Sequence, residues 1–166
     1  MMRESMELAG EQAVEEIFSL ILSRVAWMDE KGIRQWNATG YAEAYPREYY
    51  REQARQGRLY VLRREGRVAA AAVLLEEDPR WEGAAPAVPA YYVHNLASSL
   101  EAPGAGSELL EDIEALARSR GRTRVRLDCA VDNGPLNRWY ETRGYCPVGG
   151  CTDGPYVGTL REKVLE

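Results

Sequence analysis

At 166 residues, with 45% hydrophobic and 28% charged residues, the chain has the balance of one globular domain around a single core. Its net charge of −5 argues against a nucleic-acid partner, which calls for clustered Lys and Arg. Three cysteines (Cys129, Cys146, Cys151) are too few and too irregularly spaced for a disulfide framework or a zinc site, and a single histidine excludes a His-rich metal centre, so no metal is expected.

The first ten residues carry no apolar leader. Met6 to Ala9 reads as a short strand. From Glu11 to Lys31 the residues Val14, Ile17, Phe18, Ile21, Leu22, Val25 and Met28 recur at the three-and-four spacing of one buried helix face, and Gly32 is placed to end the helix. The apolar run within it is broken by Ser19, Ser23 and Arg24 and is too short to span a bilayer, so no membrane partner is expected and the cytoplasm is the expected location. Ile33 to Tyr45 is an aromatic-rich loop, and Pro46 suits the start of a second helix over Arg47 to Gln56. Leu59 to Arg64 and Arg67 to Glu76 flank Glu65-Gly66 as a hairpin. After a proline-bearing loop from Asp78 to Pro89, Ala90 to Ala97 is a strand. Ala105 to Arg120 is a helix with Leu109, Ile113, Leu116 and Ala117 inward and Glu111, Glu114 and Arg118 outward. Arg124 to Cys129 is a strand, Pro135 to Arg143 a short helix, and Tyr145 to Val148 and Tyr156 to Glu162 are closing strands. The arginine run from Arg118 to Arg126 reads as a solvated helix end followed by an alternating strand, not as an anion patch.

The strand–helix–strand piece over residues 90–129 needs a parallel crossover, while the hairpin and the closing strands are antiparallel. The expected class is α/β (α+β): a mixed, mostly antiparallel central sheet with helices on both sides, in one domain over residues 1–166.

Two phrases carry chemistry. In Tyr91–Ala117 an apolar strand runs through a small-residue turn, Gly104-Ala105-Gly106-Ser107, into an amphipathic helix. Such a unit aims free backbone N–H groups and the positive end of a helix dipole at one point, which suits a phosphate. Glycine there lets backbone approach a diphosphate closely, although the same turn also serves as a plain connection. In Asp132–Tyr145 an amide, Asn133, and a phenol, Tyr140, open another helix. Together they point to an enzyme that holds a phosphorylated cofactor.

With these phrases the chain resembles the GCN5-related N-acetyltransferase (GNAT) family over nearly its whole length. V-H-N-L-A followed by P-G-A-G-S-E-L-L is similar to the family's acetyl-coenzyme A motif, and N-G-P-L-N-R-W-Y-E-T-R-G-Y to its second motif. The departures are Glu101 at the usual Gln or Arg, Ala102-Pro103 at the usual Gly-Lys or Gly-Arg, Ser98 at the usual Val, and a loop about two residues shorter. The resemblance implies acetyl-coenzyme A as cofactor. The backbone of Leu96, Ala97 and Ser98 would pair with its pantetheine arm, the turn Gly104 to Ser107 would hold its diphosphate, and Asn133 would bond the arm or cap its own helix. It implies acetyl transfer to a primary amine of a small acceptor by direct attack. Tyr140 would be the general acid or else a core tyrosine, and His94 would be the base or else a structural histidine. His94 matches a strand histidine of the arylalkylamine N-acetyltransferase branch. Trp36, Tyr41 and Tyr45 lie on the loop that walls the acceptor site in the family; Trp36 also suits a plug at the core edge. Asp128 is a second proton acceptor or a loop-orienting group, and Cys129 reads as a packed thiol. Family members often pair as homodimers through the closing strands. A degenerate member that binds coenzyme A without turnover is the alternative that Glu101 and the shortened loop motivate.

Overall fold

Along the chain the computed structural model, which describes residues 4–166, runs β1 (Glu7–Leu8), a 3-10 turn (Glu11–Ala13), α1 (Val14–Lys31), α2 (Tyr41–Ala44), α3 (Arg47–Arg55), β2 (Leu59–Arg64), β3 (Arg67–Leu75), a 3-10 turn (Pro79–Trp81), β4 (Ala90–Ser98), α4 (Ala105–Ser119), β5 (Arg124–Ala130), α5 (Gly134–Glu141), β6 (Cys146–Asp153) and β7 (Tyr156–Val164). Residues 1–3, part of the stretch read above as lacking a leader, lie outside the described residues. Among those described, no helix is long and apolar enough to cross a membrane.

The strands form one sheet in the order β1-β2-β3-β4-β5-β7-β6. Among the described residues only β4 and β5 pair in parallel, as the crossover through α4 requires. Alternation along the strands, interrupted at bulges, separates two faces. Leu59 and Val61 of β2 and Ala71 and Val73 of β3 pack under α1 and α3, while Tyr60, Leu62, Ala70, Ala72 and Leu74 pack under α4. The mixed sheet with helices on both sides is therefore the observed architecture.

Two backbone features shape the centre of the sheet. First, β4 contains a bulge. Its register against β3 shifts by one residue between Val73↔His94 and Ala71↔Ala97, and Asn95 takes a left-handed φ of 58°. Because side chains alternate with period two, this exchanges the faces downstream: Leu96 joins the α4 side and Ala97 the α1 side. Second, β4 and β5 pair only through Ala90↔Arg124, Tyr91↔Val125 and Tyr92↔Arg126 and then part. The result is a V between the two halves of the sheet.

Several side chains differ from expectation. Leu22 is exposed on α1, and Leu20 takes its place inside. Glu114, expected outward, is buried, where it accepts from the Tyr145 hydroxyl at 2.7 Å and from Lys163 at 2.9 Å. A carboxylate can be buried only if it is paired in this way. Arg126 is 2% exposed and not solvated: it bonds Glu162, the Tyr92 hydroxyl and the Pro86 carbonyl, with its guanidinium 4.7 Å from the Trp81 ring. The expected loop over residues 33–45 contains the short helix α2, and β6 is twice the expected length.

Candidate active site

Past Tyr92 the parting strands open a cleft of about 710 Å³, lined from both faces of the sheet. Of the residues expected to bind cofactor or acceptor or to move protons, all lie on it except Ala105, whose side chain is fully buried beneath.

At one end stands the N-terminus of α4. Gly104 precedes it at φ 84° and Glu108 N–H returns to the Gly104 carbonyl, while the N–H groups of Gly106 and Ser107 have no backbone acceptor. A Cβ on Gly106 would stand 3.4 Å from Ser98 Oγ, so the first turn of α4 lies against the end of β4. Two arginines that the sequence reading missed converge here. Arg24, from α1, donates to the Ser98 carbonyl at 2.6 Å and to Ser98 Oγ at 2.9 Å. Arg143, just after α5, donates to Ser107 Oγ at 3.1 Å. Neither faces a carboxylate among the described residues, and burial alone lowers the pKa of Arg24. Half-buried cations held only by neutral oxygens, beside free N–H groups, fit a diphosphate. Ser98, which departs from the family pattern, is the residue that positions Arg24. Glu101 lies outside the cleft with its side chain 84% exposed, facing Arg67 at 3.9 Å.

Midway along the cleft, Tyr140 is 5% exposed and its hydroxyl makes no hydrogen bond among the described residues; burial holds it protonated far above its ordinary range. Asn133 caps α5 by accepting from Leu136 N–H at 3.1 Å, and its amide donates to Gln35 Oε1 at 2.7 Å. Trp139 and Tyr140 both reach the cleft, Trp139 half-buried beneath the Arg143 guanidinium. Cys129 is buried, and burial pushes its thiol up to about 11, which suits packing and not attack.

At the far end, His94 Nε2 lies 2.7 Å from Asp78 Oδ2. Burial would raise the Asp78 pKa, but the bond and charge of His94 and the Arg80 N–H outweigh it, and the net shift is downward. An ionised carboxylate only accepts, so the imidazole carries its proton on Nε2 when neutral and leaves Nδ1 as the free lone pair. Asp128 accepts from the Tyr156 hydroxyl at 2.5 Å and faces Arg80 Nη1 at 3.4 Å. Arg80 also donates to Asp153 at 2.8 Å. Asp78, His94 and Asp128 each bring one ligand-type atom to within 4.8 Å of the others. On the loop, Trp36 stacks on Tyr41 at 4.3 Å, and the Tyr41 and Tyr49 hydroxyls both bond Asn95, at 2.5 and 2.7 Å.

Asp78, Arg80 and Tyr156 were not found from the sequence. The D-P-R-W phrase marks Asp78 as the cap of a one-turn helix, and its carboxylate does accept from Arg80 N–H. Nothing local shows that it also reaches His94.

The family model described as Acetyltransferase (GNAT) family matches residues 30–145. An uncharacterized N-acetyltransferase of Bacillus subtilis, YesJ, is 26% identical over 149 residues, covering 86% of this chain and 82% of that protein. Among solved structures, an acetyltransferase of the GNAT family from Streptococcus agalactiae superposes with a TM-score of 0.82 at 19% identity, covering 98% of this chain and 95% of the other. The PaiA N-acetyltransferase of Thermoplasma acidophilum, solved with coenzyme A, superposes with a TM-score of 0.70 at 15% identity, covering 98% and 99%. The parted strands, the glycine turn and the matched sequence agree: the chain belongs to the GNAT family and is an acetyltransferase.

Proposed function

We propose that this single-domain protein transfers an acetyl group from acetyl-coenzyme A to a primary amine of a small acceptor by direct attack within a ternary complex. The observation that carries this is the cleft itself. One end offers free N–H groups, Arg24 and Arg143 to an anion, and the other offers a histidine fixed by a carboxylate. The coenzyme A bound by the PaiA enzyme of the same fold supports the choice of cofactor.

When bound, acetyl-coenzyme A supplies an activated thioester whose thiolate can leave. The residues Leu96 to Ser98, on the β4 edge that β5 does not pair, would hold the pantetheine arm. Gly104 to Ser107 with Arg24 and Arg143 would hold the diphosphate. His94 Nδ1, directly or through water, would take a proton from the acceptor's ammonium and so free the amine that attacks, while Asp78 would stabilise the imidazolium that results. Tyr140 would give its phenolic proton to the departing sulfur; burial keeps the phenol protonated before that step and makes the phenolate short-lived after it. Trp36 and Tyr41 wall the acceptor.

Calorimetric titration with acetyl-coenzyme A, followed by a free-thiol assay on an amine panel, tests this. A micromolar dissociation constant and thiol release that depends on the amine are expected. No heat up to millimolar cofactor would remove the reading.

A further inference from the structure

The cleft is oppositely charged at its two ends. Arg24 and Arg143 face it at the α4 end with only neutral oxygens bound. At the other end two carboxylates, Asp128 and the more exposed Asp153, pair with a single guanidinium, that of Arg80, while Asp78 behind them bonds the Arg80 backbone N–H and His94. Three acids against one base leave two negative charges there while His94 is neutral.

Arg80 is also already committed. It bridges Asp128 and Asp153, lies 3.4 Å from the Tyr45 hydroxyl, and sits 5.3 Å from the centre of the Tyr156 ring. Burial would lower its pKa, but the bond to Asp153 and the charge of Asp128 outweigh that. No other Arg or Lys lines this end. An acceptor bearing a carboxylate would have to break those pairs to find a partner. Asp128, by contrast, spends only Oδ2: its Oδ1 has no hydrogen-bond partner among the described residues, and the residue lines the cleft beside His94. The remaining walls are aromatic, with Trp36 stacked on Tyr41 and Tyr45 beside them.

Resting on the acetyl-transfer reading above, we propose that the acceptor is a cationic amine with a flat apolar body and no carboxylate. Its ammonium is anchored by Asp128 Oδ1 next to the His94 base, and its body lies against the aromatic wall. A carboxylate at the buried end repays the desolvation of an ammonium, and ring faces add to it. A carboxylate tail would find no free cation there and meet a net acidic end, and so be rejected.

Three probes share one body and differ only in the tail: 4-methylbenzylamine (neutral), 1,4-bis(aminomethyl)benzene (cationic) and 4-(aminomethyl)benzoate (anionic). Free-thiol release with acetyl-coenzyme A should give the first two a kcat/KM at least about tenfold above that of the benzoate. Asp128→Asn should raise KM for the two favoured amines by about tenfold or more and leave the acetyl-coenzyme A dissociation constant unchanged. A benzoate used as well as the others, an Asp128→Asn variant with unchanged KM, or no transfer to any probe while acetyl-coenzyme A binds would each overturn the proposal. Absence of acetyl-coenzyme A binding would instead overturn the acetyl-transfer reading beneath it.

Discussion

Tyr140 and Asp78 make opposite use of burial. Tyr140 is buried with no hydrogen bond to its hydroxyl among the described residues, so desolvation keeps its proton on the phenol. Tyr140→Phe should lower kcat by about a hundredfold or more while changing the acetyl-coenzyme A dissociation constant little; rates equal to wild type would end its role as acid. Asp78 is as buried but stays ionised because His94 and a backbone N–H reward the charge. The folded carboxyl keeps its charge at pH values where the unfolded chain, with its ordinary 3.8, has taken up a proton. Its stabilisation is therefore complete above 3.8 and is lost as pH falls through the lower folded value. Asp78→Asn should melt about 3 °C below wild type at neutral pH, and the gap should close between about pH 5 and 2. A gap constant over that range would mean that Asp78 is neutral in the folded protein. The sequence pointed to Tyr140 through a motif of adjacent residues. It did not point to Asp78, because a carboxylate in a loop is ordinary until folding brings an imidazole to it.

Among the elements, β4 decides the geometry of the cleft. Its bulge is held where Asn95, at φ 58°, is clasped by two tyrosine hydroxyls, Tyr41 of α2 and Tyr49 of α3. Asparagine tolerates that backbone better than residues with larger side chains, and glycine tolerates it without strain. Urea denaturation should rank stability as wild type, then Asn95→Gly, then Asn95→Ala. Glycine should lose about 2 kcal/mol with the two hydrogen bonds, and alanine about 1 kcal/mol more from the left-handed φ. Alanine no worse than glycine would show that the bulge relaxes. The period-two pattern of Y-Y-V-H-N-L-A-S could not reveal this shift, since both phases place apolar residues on both faces. Helix α1 contributes differently. Arg24 crosses from it to Ser98, and Arg24→Gln should weaken acetyl-coenzyme A binding about tenfold without lowering Tm, because it removes a half-buried cation that has no acid partner. Loss of Tm with intact binding would make Arg24 a structural strut instead.

At the scale of the whole molecule, two half-sheets share only three parallel residue pairs, so the base of the V needs other fastenings. Arg126 is one: it links β5 to Glu162 on β7, to Tyr92 on β4 and to the loop carbonyl of Pro86. Glu114 is another, tying α4 to Lys163 and Tyr145. Arg126→Ala should destabilise the protein by about 3 kcal/mol, since it strands polar partners in the interior, while retaining a single unfolding transition. Two separated transitions would mean that the halves fold independently once this link is cut.

The sequence by itself determined what is local. Apolar residues at helical spacing, the glycine ending α1 at Gly32, the Glu65-Gly66 turn and the strand–turn–helix phrase each act over a few neighbours, and the elements and the family are legible from them. Only the tertiary structure decided which distant groups meet: His94 with Asp78, Ser98 with Arg24, Asn133 with Gln35, Asp128 with Tyr156. Those contacts depend on where a bulge turns a strand over and where two strands part. Both are consequences of packing across the whole sheet, which no window of sequence contains.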